Sequence, residues 1–244
     1  MLKVGSLLKR QVKMSEVQRH GFFWEKELIH KVYGASPEEL KAIRYNSKMD
    51  LPMSLNRKNS VDLSIKTTCS PNAVCMADCL RVYDAVSSGK PFHMTVITYK
   101  QNDEAQTKKI TNIVEVNITG AKESLFGSLT RSQIDMLDSL VKEVPQKRRP
   151  TPEEYTAMYR MRNELQPLSA AIHLDIKCNS QQSRLQCSFN HFQDFLTRNP
   201  DRIIAQSSSG SFRGGSITEE IASGRRTFNR TRTAPDSAPH LPPI

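Results

Sequence analysis

Residues 61–66 read VDLSIK. Val61, Leu63 and Ile65 alternate with Asp62, Ser64 and Lys66, the period of a β-strand with one apolar and one polar face. Burial of the three aliphatic side chains would fix the direction of the polar trio. Two readings of that trio stand side by side: a solvated sheet face, or a metal-dependent site. Taken alone, the motif favours the solvated face.

The flanking sequence gives the strand its neighbours. Residues 45–55 read as extended, with Pro52 marking a strand end. NRKNS (56–60) is a turn by composition. The two segments are therefore expected to pair, bringing Asp50 towards the polar trio. Upstream, residues 15–33 predict a helix whose apolar stripe is Phe22, Phe23, Leu28, Ile29 and Val32. It carries Glu25, and Trp24 beside it reads as core packing. Gly34 stops this helix, and Ser36 caps a short one from Pro37 to about Ile43.

Downstream, AVCMADCLRVYDAVSSGK (73–90) predicts one helix ended by Gly89. PFHMTVITYKQ and KKITNIVEVNIT read as an antiparallel hairpin around NDEAQ. LFGSL (125–129) is a loop, and Thr130 or Ser132 caps a helix over 131–144. VPQKRRPTP is a basic linker. Residues 151–165 form a helix with a Thr151/Glu154 capping box. Residues 171–178 and 183–190 are strands around a polar NSQQ turn. From residue 206 the chain turns Ser/Gly-rich, then Arg/Pro-rich, and reads as a disordered basic tail to 244. The expected division is a basic extension over 1–14, one domain over 15–205, and that tail. The element order predicts an α/β fold with a mixed or largely antiparallel sheet. No Walker or dinucleotide glycine loop is present.

The net charge of +10 raises the prior for a polyanionic partner, nucleic acid first. No apolar run approaches a membrane span, so no membrane partner is expected. The five cysteines lack CxxC spacing and disulfide-framework parity, which points to reduced, structural thiols in a cytosolic-type compartment. Cys75 and Cys79 are spaced to share a helix face.

A carboxylate–hydroxyl–ammonium cluster has a definite chemistry. Mg²⁺ takes oxygen ligands from one or two carboxylates and substrate phosphate. A lysine two residues from a ligand orients water and offsets charge on phosphorus. With FFWEKE supplying Glu25, KMDLP supplying Asp50, and VDLSIK supplying Ser64-Ile65-Lys66, the sequence resembles the PD-(D/E)xK nucleases. The stretch VDLSIKTTCSPNAVCMADCLRVYD is similar to a restriction-like subgroup of bacteria and large DNA viruses. IKCNSQQSRLQCSF is similar to its C-terminal strand pair, so the resemblance covers roughly residues 18–195.

The resemblance implies a restriction-endonuclease-like central mixed sheet flanked by helices. It implies a Mg²⁺-dependent type II restriction-like endonuclease cutting double-stranded DNA, in the cytoplasm, or in a virion or host cell if viral. A homodimer is one assembly it implies, since two identical sites can cut both strands of a palindrome. Asp50 and a second acid, Asp62 or Glu25, would hold metal, and Lys66 would position water. Ser64 departs from the pattern by standing where the family has an acid. That departure supports the rival reading, a DNA-binding or virion-structural protein that kept the fold without the chemistry. A third reading is a repair nuclease acting on branched DNA.

Thr67 and Thr68 offer hydroxyls to phosphate, or form an ordinary polar turn. Asp78 and Arg81 read as a surface ion pair, with Arg81 at DNA by resemblance. Gln181, Gln182, Arg184 and Gln186 suit base edges, arginine for guanine and glutamine for adenine. By pattern alone, a polar edge strand is the reading they favour. The basic stretch 147–149 reads either as a phosphate contact or as a solvated linker, and Arg213, Arg225, Arg226, Arg230 and Arg232 would add salt-sensitive, non-specific affinity for DNA.

Overall fold

A computed structural model describes residues 16–42, 49–146, 148–167, 169–178 and 183–223. Ten strands and seven helices are assigned in these residues. In chain order they are α1 (Glu16–Lys31), α2 (Pro37–Ala42), β1 (Asp62–Thr68), β2 (Val74–Asp78), α3 (Cys79–Ser87), β3 (Phe92–Asn102) and β4 (Thr107–Asn117). There follow α4 (Lys122–Phe126), α5 (Arg131–Lys142), α6 (Pro152–Leu165), β5 (Ile172–Cys178), β6 (Ser183–Phe189), α7 (Phe192–Arg198), β7 (Ile203–Ser207), β8 (Ser211–Phe212), β9 (Gly215–Ser216) and β10 (Glu220–Ala222).

The fold is α/β. A mixed central sheet runs β1-β3-β4-β10, and β7 also pairs with β4. β1 and β3 are parallel, with α3 in the crossover, and β3 and β4 form the expected antiparallel hairpin. A second, antiparallel sheet runs β2-β6-β5. β3 is central and buried on both faces, as its unbroken run of β-branched and apolar residues requires.

Alternation along β1 puts Leu63 and Ile65 into a core with Trp24, Leu28, Ile29 and Tyr33. Each such side chain contributes about 1.5–3 kcal/mol of burial. Ser64 and Lys66 face the other way, on the same side as their register partners Met94 and Val96. Leu28, Ile29 and Val32 of the expected α1 stripe are buried, and so is Trp24, whereas Phe23 is 41% exposed. The Trp24 indole N–H donates to Thr218 O at 2.8 Å, as a buried indole requires.

Helix starts follow their capping signals. Ser36 and Glu39 bond reciprocally at the start of α2, Thr130 and Gln133 at α5, and Thr151 and Glu154 at α6. Other expectations are corrected. The 73–90 segment is strand β2 followed by α3, because Val74 and Met76 alternate inward against β6 before the helix begins. Cys75 is therefore exposed on a strand while Cys79 is buried in a helix, and the two share no helix face. All five cysteines are unpaired. Contact with Cys79, then burial, pushes the Cys187 thiol pKa up. Leu125 and Phe126 close α4 rather than forming a loop. Within 49–55, the described part of the expected 45–55 strand, there is one antiparallel bridge, Leu51 to Leu63, followed by a 3₁₀ turn at Met53–Leu55. Residues 43–48 lie outside the described residues.

The largest correction concerns residues 206–223. This segment is folded: the end of β7, the β8–β9 hairpin and β10 belong to it, and Phe212 and Ile217 are core. Its glycines serve packing: a Cβ at Gly215 would stand 2.6 Å from Lys31 O at the end of α1. Arg213, read as a DNA-binding tail residue, instead ion-pairs with Glu115. Glu115 is fully buried on β4 and also accepts from Tyr33 OH at 2.9 Å and contacts His93 Nδ1 at 2.7 Å. Despite burial, hydrogen bonds from His93 and Arg213 hold its pKa down at about 2. Arg225, Arg226, Arg230 and Arg232 lie outside the described residues, as does the 1–14 extension. No helix among the described residues is long and apolar enough to cross a membrane.

Candidate active site

The backbone around Leu51 fixes Asp50. Asp50 N and Leu51 N both donate to Leu63 O, and Leu63 N donates back to Leu51 O at 2.8 Å. Pro52 has no N–H to continue the ladder, so pairing stops with Asp50 beside the polar face of β1. Its Oδ2 then receives three donors: Ile65 N at 2.6 Å, Ser64 Oγ at 3.0 Å and Lys66 Nζ at 3.4 Å. Oδ1 has no hydrogen bond among the described residues.

Glu25 is the second acid at this point. Burial, and next the charge of Asp50, raise its pKa from 4.5 to about 7, with Lys66 opposing. Two carboxylates that repel in a partly desolvated place are stabilised by a shared proton or a cation.

A cavity of about 180 Å³ opens beside the cluster, lined by Asp50, Ser64, Lys66, Asp78 and Arg81 with an apolar floor that includes Met94. Its rim holds a strained residue. β2 bulges between Cys75 and Ala77, and Ala77 sits at φ 94°, where only glycine is at ease. The bulge turns Asp78 to cap α3, accepting from Arg81 N at 3.0 Å. Asp78 and Arg81 are thus a cap contact rather than the surface ion pair read from spacing. Arg81 is left exposed at the cavity mouth.

Asp62 shares the face of Ser64 but not the cluster. Its Oδ1 accepts from Met53 N at 2.7 Å, bracing the turn after Pro52, and it lines a different cavity with Pro52 and Lys90. Thr68 spends its hydroxyl inside the 68–73 turn, donating to Ala73 O, and Thr67 lines a third cavity. Gln186 is 3% exposed and lines that same cavity with Lys66 and Asp175. Arg184 has a buried Nε with no partner among the described residues. Gln181, Gln182 and Lys147 lie outside the described residues. Asp78 and Asp175 were not singled out as site residues from sequence. The strand β2 that delivers Asp78 reads as helix, and only the pairing of β5 with β6 brings Asp175 to Gln186.

For a cation, Asp50 Oδ1 and Glu25 offer carboxylate oxygens at the cluster. Among the described residues no three His, Cys, Asp or Glu side chains form a metal-holding group. A two-carboxylate set fits Mg²⁺, which keeps several waters and completes its shell with phosphate. No family model matches the chain, and no curated protein or solved structure matches it either.

Proposed function

We propose that the protein is a Mg²⁺-dependent, restriction-like endonuclease that hydrolyses phosphodiester bonds in double-stranded DNA. The observation that carries the reading is the convergence of Lys66 Nζ and the Ser64-Ile65 segment on one oxygen of Asp50, with the other oxygen unbonded among the described residues. The element order supports it. A helix bearing an acid, an acid at a strand end, a Ser-x-Lys strand, a crossover helix and a parallel strand follow the order that the resembled nucleases imply.

Asp50 and Glu25 would hold Mg²⁺. When bound, the ion supplies charge neutralisation at phosphorus and a more acidic water. Ser64 is a positioning residue: its hydroxyl donates to Asp50 and fixes the carboxylate rather than standing in for a ligand. Lys66 keeps a donor beside the reacting phosphate, where it orients water and stabilises the developing anion. Asp62 serves the fold of the 52–55 turn. Arg81 at the cavity mouth is placed to meet a DNA phosphate.

The test is cleavage of a mixed-sequence plasmid at low salt, with and without Mg²⁺, by wild type and Lys66→Ala. Cutting that needs both Mg²⁺ and Lys66 supports the reading. DNA binding without cutting, equal in both proteins, would replace it with the binding-only reading that Ser64 favours.

A further inference from the structure

The third cavity, about 430 Å³, lies between the end of β1 and the polar face of the β2-β6-β5 sheet. That volume falls in the range of small-ligand pockets, about 300–1,000 Å³. Lys66 lines both this cavity and the one at Asp50, so the two adjoin.

Gln186 is the informative side chain. It is 97% buried by its 3% exposure, it lines the cavity, and its amide has no hydrogen-bond partner among the described residues. The amide atoms are not among the side-chain polar atoms sealed from solvent without a partner, so the polar tip opens onto the cavity, where a ligand with a matching edge would meet it. Asp175 stands directly opposite Gln186 in the antiparallel register of β5 and β6. Side chains so paired project on one face about 5 Å apart. Ser188 Oγ donates to Asp175 Oδ2, which fixes the carboxylate and leaves Oδ1 for a ligand.

We propose that this cavity is a guanine pocket, formed by Asp175 and Gln186 beside the phosphodiester site. A carboxylate next to an amide N–H asks for two adjacent N–H donors next to a carbonyl. Guanine has that edge: N1–H and N2–H for Asp175, and O6 for the Gln186 amide. Adenine and cytosine would set a ring-nitrogen lone pair against the carboxylate. Thymine offers one N–H between two carbonyls. Asp175 thereby reverses the preference of a lone glutamine, which suits adenine.

The depth of Gln186 requires a base outside the duplex stack, either unpaired or extruded. The placement of that base next to a scissile phosphate rests on the nuclease reading. The guanine preference does not.

The test is equilibrium binding by the full chain in EDTA. The probes are fluorescent oligo-dT carrying one central dG, all-dT of the same length, and the four free deoxynucleoside monophosphates. Wild type is expected to bind the dG oligonucleotide at least tenfold more tightly than all-dT. Gln186→Met and Asp175→Asn, checked for folding by circular dichroism, should each lose that ratio, and Asp50→Asn should keep it. If dGMP alone binds as tightly as the dG oligonucleotide, the pocket stands and its ligand is a free nucleotide. If the dG oligonucleotide binds no better than all-dT, or the ratio survives both pocket variants, the proposal is overturned even where cleavage is intact. A persistent dG ratio in a protein that never cuts DNA would sink the nuclease reading and leave the pocket.

Discussion

Asp50 Oδ2 accepts the backbone N–H of Ile65 at 2.6 Å, across the single bridge between Leu51 and Leu63. One carboxylate oxygen is thus committed to holding two segments together while the other has no hydrogen bond among the described residues. Structure and chemistry share a residue here, and the two roles separate by substitution. Asp50→Asn keeps an acceptor for Ile65 N but removes the charge. It should melt within a few degrees of wild type and lose DNA cleavage. Asp50→Ala also orphans Ile65 N, at a cost of about 1.5–3 kcal/mol for a bond to a charged group. Parallel thermal melts and cleavage assays check both.

The raised pKa of Glu25 sets a pH dependence. Its carboxyl titrates near 7 in the folded chain and near 4.5 when unfolded, so between those values the native state holds the extra proton. Stability from this group is present below about 4.5 and falls as pH rises to about 7. At about 1.4 kcal/mol per pH unit, the full change is about 3 kcal/mol. Glu25→Gln should therefore gain on wild type from pH 5 to about 7 and level off above it in denaturant titrations. Mg²⁺ added at pH 8 should recover stability in wild type and not in Glu25→Gln. An unchanged gap across that range would place Glu25 away from the cluster.

Ser64 Oγ lies 3.0 Å from Asp50 Oδ2 as a donor. Ser64→Ala removes one neutral donor, worth about 1 kcal/mol, and should slow cleavage about fivefold. Ser64→Asp installs the acid that the resembled family carries there. Without metal the new charge opposes Asp50 and should lower the melting temperature. With Mg²⁺ the same variant should rise more than wild type, because a third carboxylate oxygen joins the ligand set. Paired melts in EDTA and in Mg²⁺ read this directly.

The contact of Arg213 with buried Glu115 ties the C-terminal segment to the sheet. Arg213→Met leaves Glu115 with Tyr33, His93 and Asn59 as neutral or weaker partners. Breaking a buried pair from one side costs about 3–5 kcal/mol. The expected result is a lower urea midpoint with unchanged m-value. A midpoint equal to that of wild type would show that the Arg213–Glu115 contact adds nothing to stability.

How much of this was legible in sequence depends on the range of the interaction. The β3–β4 hairpin, the direction of Ser64 and Lys66, and the caps at Ser36, Thr130 and Thr151 were all readable, since each is set by neighbours within a few residues. Side-chain period and capping geometry are local. β2 was misread as helix because Val74 and Met76 fit either period over so short a run, and only pairing with β6 settles them. Residues 206–223 were misread because composition averages hide three well-placed residues, Phe212, Arg213 and Ile217, whose partners lie on α1, β1, β3 and β4.

The sequence by itself determined which residues could carry chemistry and on which face of β1 they stand. Tertiary structure decided which of them meet. Asp50 and Asp62 look alike on paper, yet one joins Lys66 and the other caps a turn at Met53. Gln186 reads as exposed edge polarity, yet β6 is the central strand of its sheet and the residue is 3% exposed. A strand's alternation comes from its own pleat. The meeting of two carboxylates, or the burial of an amide, comes from backbone hydrogen bonds between segments distant in the chain.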